Sequence, residues 1–251
     1  LDQFSNAITI YDEGKEDEEG EIYAVDINIP KAADHLDEIL TAVNDLPHIQ
    51  ALKLSEGTLS AEQLRVLKPL PSLRSLAIHS ACSDELLTHL PKFPNLEALD
   101  IEGTDVTGQC FSHMQCCGQL KILRASHTPL KDIAIEGLIQ NAKKLKSFWF
   151  ADTRVTASGV MKLSQLLWLK GIGPPDDLLD SESEAELSGD ERRKFLSEQM
   201  AKRRTFMLEF WRARIEAIRE AESRGEDTPS ASEIESIRSS IDTLQSALQQ
   251  N

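Results

Sequence analysis

The sequence predicts an α/β solenoid, with short parallel strands on its concave face and helices on its convex face, followed by a C-terminal α-helical hairpin. Three observations carry this reading. An apolar-x-x-apolar-x-apolar pattern recurs at Ile22/Val25/Ile27, Ile49/Leu52/Leu54, Leu73/Leu76/Ile78, Leu96/Leu99/Ile101, Leu120/Leu123/Ala125 and Leu145/Phe148/Phe150. Successive instances lie 27, 24, 23, 24 and 25 residues apart, a fixed period of the kind that marks stacked repeats. Finally, two long segments with helical apolar spacing follow the last repeat, separated by one short Gly- and Pro-containing break.

Taken in order, Ala7-Ile8-Thr9-Ile10-Tyr11 reads as a strand that pairs with 22–27 and covers the open end of the first unit. It makes residues 1–21 an N-terminal capping strand plus an acidic loop. Within each unit, period-two alternation at the front gives a strand, and apolar residues three and four apart behind it give a helix. Leu59, Val106, Leu130 and Val155 stand ten places after the first apolar position. Leu64, Phe111, Ile135 and Val160 stand fifteen places after it, and Leu40, Leu67, Met114, Leu138 and Leu163 eighteen. Three units also carry a Thr eight places on, at Thr104, Thr128 and Thr153, where the chain must turn out of the strand. Residues 166–172 form a degenerate last unit, which Gly173-Pro174-Pro175 stops, so the solenoid is expected over 22–175.

Units such as Leu96-Glu-Ala-Leu99-Asp-Ile101 and Leu73-Arg-Ser-Leu76-Ala-Ile78 resemble leucine-rich repeats, and the resemblance covers roughly residues 22–170. The Asn or Cys that many members carry after the third apolar position is absent, and the units are most similar to the bacterial or cysteine-containing kinds. The resemblance implies a full helix on the convex side of each unit and use as a protein-binding scaffold.

In this register the residues alternating with the core positions face the concave side. They are mostly small or polar, and the candidate partner-binding set drawn from them is Lys53, His79, Asp100, Glu102, Ile122, Arg124 and Trp149. An aromatic anchor with an Arg beside it is the composition binding hot spots favour. The competing reading is that the chain's own C-terminal segment covers Trp149.

Beyond an acidic linker at 176–187, Ser188 and Glu191 are spaced as a capping box, and no Pro or Gly follows Gly189 until Gly225, predicting a helix over 188–224. Its stripe runs through Leu196, Met200, Met207, Trp211, Ile215 and Ile218, widened by Phe195, Phe206 and Phe210. Ser230 and Glu233 repeat the capping box, and Ile234, Ile237, Ile241, Leu244 and Leu248 follow at coiled-coil spacing. Residues 188–251 thus form a hairpin whose docking residues are Met207, Phe210, Trp211, Ile215, Ile237, Ile241 and Leu244. It packs on the solenoid, on a copy of itself or on a partner; the sequence leaves the three open.

The net charge of −15 is local. Residues 12–21 hold seven acids and one Lys, residues 176–190 seven acids and no base, while 191–251 balance at eleven of each. Such dense like charge repels itself and buries nothing, which makes both runs solvated segments or docking sites for a basic partner. An acidic chain is a poor match for polyphosphate, so nucleic acid is not an expected partner, although 192–224 carries ten bases against five Glu. No run approaches the ~18 apolar residues of a membrane span, and Leu1 opens no basic-apolar-small leader pattern.

Sequence-local catalytic motifs are missing: there is no G-x-S-x-G, Walker loop, G-x-G-x-x-G or H-E-x-x-H. The six His are dispersed, and Cys82, Cys110, Cys116 and Cys117 lack paired C-x-x-C spacing. No catalytic residue, metal or cofactor is assigned, and reduced thiols point to an intracellular (cytoplasmic or nuclear) setting. The expected function is a non-enzymatic protein–protein interaction scaffold. Two alternatives stand beside it: an acidic chaperone-like binder of basic proteins, and a structural homo-oligomer assembled through 188–251.

Overall fold

The computed structural model describes residues 7–12, 22–46, 48–89, 93–114, 118–172 and 189–249. Most of both acidic runs, Ser188, Cys116 and Cys117 lie outside the described residues. One sheet runs through the solenoid with its strands in chain order: β1 (Ile8–Asp12), β2 (Ile22–Asn28), β3 (Ala51–Thr58), β4 (Ser75–Ala81), β5 (Ala98–Asp100), β6 (Ile122–Arg124), β7 (Ser147–Trp149) and β8 (Gly171–Ile172). From β2 onward every pairing is parallel, and the central core position stays in one row through Val25, Leu52, Leu76, Leu99, Leu123, Phe148 and Ile172. The repeat period read from the sequence is this row.

β1 runs antiparallel to β2, pairing Ile8 with Ile27 and Ile10 with Val25, so the first parallel strand has no open edge. On the convex side stand α1 (Ile29–Ala32), α2 (Leu36–Val43), α3 (Ala61–Val66), α4 (Asp84–Leu87), α5 (Asp132–Asn141) and α6 (Ala157–Lys162). The expectation of a full helix in each unit is corrected here. Among the described residues only α2 and α5 exceed two turns, α4 is a single turn, and the fourth unit carries no α-helix but a 3-10 turn at Gln109–Ser112. In the fourth unit the cause is composition: Gly108-Gln-Cys-Phe-Ser-His is poor in helix formers.

The three Thr predicted to turn the chain do so by one device. Thr104, Thr128 and Thr153 each donate Oγ1–H to the carbonyl three residues earlier, of Ile101, Ala125 and Phe150, at 2.7, 2.7 and 2.8 Å. A buried hydroxyl needs such an acceptor, and the turn needs its third side closed.

The C-terminal helices α7 (Gly189–Ser223) and α8 (Ala231–Gln249) pack on each other and on the end of the solenoid. The Ser230 capping box forms as predicted, with Ser230 N–H on Glu233 Oε2 at 2.9 Å and Glu233 N–H on Ser230 Oγ at 3.4 Å. Of the three packings left open by the sequence, the structure adopts the first. Phe210, Trp211, Ile215, Ile218 and Ile237 are buried in the same continuous core as Leu163, Leu166 and Leu169 of the last units. Among the described residues two polar ties cross this junction: Arg214 Nη2 donates to the Leu167 carbonyl at 2.6 Å, and Lys170 Nζ meets Glu233 Oε1 at 2.5 Å. The hairpin thereby does at one end what β1 does at the other, covering an apolar layer that has no further repeat to stack on.

Candidate functional site

The concave face is built from three rows of side chains, one at each outward position of the strands. The middle row runs Asp26, Lys53, Ala77, Asp100, Arg124 and Trp149, each opposite the next across adjacent strands. Its charges are satisfied locally. Lys53 Nζ lies 3.1 Å from Asp26 Oδ2, and Ser55 Oγ donates to Asp26 Oδ1 at 2.9 Å. Asp100 is shared, with His79 Nε2 at 3.1 Å from Oδ1 and Arg124 Nη1 at 3.7 Å from Oδ2. Exposed pairs of this kind contribute about 0–1 kcal/mol each, so they orient side chains more than they stabilise the fold.

The row ends on Trp149, which is 47% exposed. The Arg124 guanidinium lies 5.1 Å from the centre of its ring, a cation–π contact. Ile122 stands opposite Ser147 and therefore diagonal to Trp149; the direct neighbour is Arg124. Among the described residues the C-terminal helices leave Trp149 uncovered, which decides against the alternative that they bury it.

At the C-terminal rim of the strands is a second feature that sequence reasoning missed. Glu56, Gly103, His127 and Asp152 occupy the same place in four units, and all four have positive φ, at 60°, 72°, 57° and 53°. A left-handed residue costs a non-glycine side chain of order 1 kcal/mol or more. Two of these positions recover part of it by pairing with each other: His127 Nδ1 lies 2.8 Å from Asp152 Oδ2, with Glu102 Oε1 at 3.7 Å from His127 Nε2. The signal was present in the sequence, since Gly, His and Asp immediately before the turn Thr are residue types enriched in this conformation.

Also missed were the ties between one unit and the next on the convex side. Asp84 accepts from Thr107 N–H and Oγ1–H at 2.8 and 2.7 Å, and from the N–H groups of Gly108 and Cys110 at 2.9 and 3.1 Å. Asp132 accepts from Thr156 in the same manner one repeat pair later, at 2.8 and 2.7 Å. An Asp followed by a Thr 23 or 24 residues on is the legible trace of this device. Burial pushes the Asp84 carboxyl up, but the hydrogen bonds from Thr107 and Cys110 together outweigh it and hold the pKa below its ordinary value.

A pH prediction follows from that sign. A carboxylate depressed in the folded state stabilises the fold above its unfolded pKa of about 4, and the contribution is lost as pH falls through the folded value. Asp84→Asn is expected to lower stability at pH 7 by about 1–3 kcal/mol and to lose less than the native chain between pH 5 and 2. Urea unfolding across that range checks it; an unchanged acid limb would overturn the assignment.

Cys82 and Cys110 are buried and unpaired. Burial, reinforced by Asp84 and Asp105, pushes the Cys82 thiol up to about 12, and burial with Asp84 pushes Cys110 higher still. Both are protonated at neutral pH and pack as small apolar groups without nucleophilic character. Among the described residues no group of three or more His, Cys, Asp or Glu is placed to hold a metal, and no helix is long and apolar enough to cross a membrane.

Of the hairpin residues expected to dock, Phe210, Trp211, Ile215 and Ile237 are buried in this chain's own core. Met207, Ile241 and Leu244 are half-buried against it.

Strand order, unit register and outer helices together define the architecture. In fold, the chain is a leucine-rich-repeat solenoid. No family model matches it, and no curated protein does. Among solved structures it is similar to an internalin from Listeria monocytogenes, with 12% identity, a TM-score of 0.33, and coverage of 52% of this chain and 49% of that one. The match thus spans about half the length of the internalin chain.

Proposed function

We propose that this leucine-rich-repeat chain is a non-enzymatic interaction scaffold that receives a protein partner on its concave face, around Trp149 and Arg124. The observation that carries the reading is a large aromatic side chain, 47% exposed and stacked with Arg, on a face whose other charges are mutually paired. Lys53, His79, Asp100 and Glu102 set the polar surround, and Ile122 extends the apolar contact. Unpaired, protonated thiols at Cys82 and Cys110 support an intracellular setting.

The hairpin enters this reading as a cap. The part of its apolar face around Phe210, Trp211, Ile215 and Ile237 is buried on the last repeat, while Met200, nearer the start of α7, is 53% exposed. A partner held by the two acidic runs is the competing mechanism, and it differs in salt response.

The test is capture of partners from the native source by the full chain and by a Trp149→Ala/Arg124→Glu variant. Loss of two hot-spot contacts is expected to reduce capture by about a hundredfold or more, with the melting temperature unchanged because both side chains are exposed. Retained capture by the folded variant, lost instead at about 0.5 M salt, would transfer the function to the acidic runs.

A further inference from the structure

Where α7, α8 and the last repeat meet, a cavity of about 110 Å³ is bounded by Trp168 and Lys170 from the solenoid, Trp211 and Arg214 from α7, and Glu233 and Ile237 from α8. Arg214 is 1% exposed. Its Nη2 donates to the Leu167 carbonyl and its guanidinium lies 5.4 Å from the Trp211 ring centre, but Nε and Nη1 are buried from water with no acceptor among the described residues. Burial pulls the Arg214 pKa down to about 10, opposed by the charge of Glu233, so the side chain is charged at neutral pH.

A buried charge without a hydrogen-bonded counter-ion is costly, and folds seldom retain one without a use. The nearest anion is otherwise engaged: Glu233 is held by Lys170 Nζ and by the N–H and hydroxyl of Ser230. Two cations therefore line the cavity against one carboxylate, leaving one positive charge over.

We infer that this cavity is a binding site for a small organic carboxylate, with Arg214 as its counter-charge and Lys170 as the donor at its mouth. Single charge suits the balance, since a phosphate dianion would leave excess negative charge against Glu233. The volume equals three or four waters at about 30 Å³ each, the size of a two- or three-carbon acid. Two indoles and Ile237 suit its apolar body. Arg214 acts through space, because it is 1% exposed and its Nε and Nη1 are closed off even from water: at an effective dielectric of about 20 its pull on an anion is roughly four times that in water. The chemistry is shared by a free acid and by an acidic side chain of a peptide.

The full chain is titrated with propionate, with N-acetyl-glutamate α-amide and with phosphate, against sodium chloride of equal ionic strength, by calorimetry and thermal melting. Propionate is expected to raise the melting temperature by at least about 2 °C at saturation, rising with the logarithm of concentration, where chloride does not. Binding of the glutamate derivative as well would assign a peptide source; binding of propionate alone, a free acid. Arg214→Met, which keeps the bulk and removes the charge, should be at least as stable and show no response. Lys170→Gln should weaken propionate binding by about tenfold, a measurement that holds even if Arg214→Met does not fold. An equal rise in chloride, a preference for phosphate, or an undiminished response in both variants would overturn the site.

Discussion

Phe210→Ala is expected to destabilise the chain by about 3–5 kcal/mol, the range for truncating a fully buried aromatic side chain. Phe210 is 0% exposed, packs edge-on to Trp211 with ring centres 5.1 Å apart, and belongs to the core shared by α7 and the last repeats. Loss of the ring removes its own burial and leaves a void in the core to which Leu166 and Leu169 also belong. In a repeat protein the damage spreads from the end, because each unit is stabilised by its neighbours. Hydrogen exchange should therefore quicken first over 189–249, then over β8 and α6, with the amides of β2–β4 last. A uniform rise across the chain would contradict the capping role of the hairpin, and a cost below 1 kcal/mol would remove it.

Gly137→Ala is expected to destabilise by about 2–3 kcal/mol, against the direction that helix propensity predicts. In an exposed helix the change would gain about 1 kcal/mol. Gly137 sits instead in the middle of α5 where it crosses the fourth unit, and a Cβ there would lie 2.7 Å from the Phe111 carbonyl carbon and the Ser112 nitrogen. These are backbone atoms of the 3-10 turn, which cannot swing away as a side-chain tip can, so overpacking outweighs propensity. Gly137→Ser should cost at least as much. Urea unfolding of both variants checks this, and a stabilised Gly137→Ala would show that α5 and the turn are less tightly packed than described.

The two substitutions also mark how much was legible beforehand. Gly137 reads in the sequence as an ordinary weak point of a helix, because nothing local records which backbone passes beside it. Phe210 reads as one of a wide apolar face requiring cover, and the sequence was silent on whether the cover came from the solenoid, a copy or a partner. The same boundary runs through the candidate site. Trp149 and Arg124 were placed on one face by strand alternation alone, whereas the left-handed rim at His127 and Asp152 and the Asp84 tie to Thr107 depend on the return of the chain one repeat later.

What the sequence by itself determined is whatever repeats or alternates along it: the period of 23 to 27 residues, the core row from Val25 to Phe148, the concave row from Asp26 to Trp149, and the Ser230 helix start. Those follow because apolar spacing at two and at three to four residues selects strand and helix, and a constant period leaves stacking as the way to bury both. Tertiary structure alone decided where the hairpin lands, that it leaves Trp149 open, and that it shuts Arg214 into the junction with two donors unmatched. The physical reason is that hydrophobic burial is non-directional: an apolar helix face states that it must be covered, while shape and the few polar ties at Leu167 and Glu233 select by what.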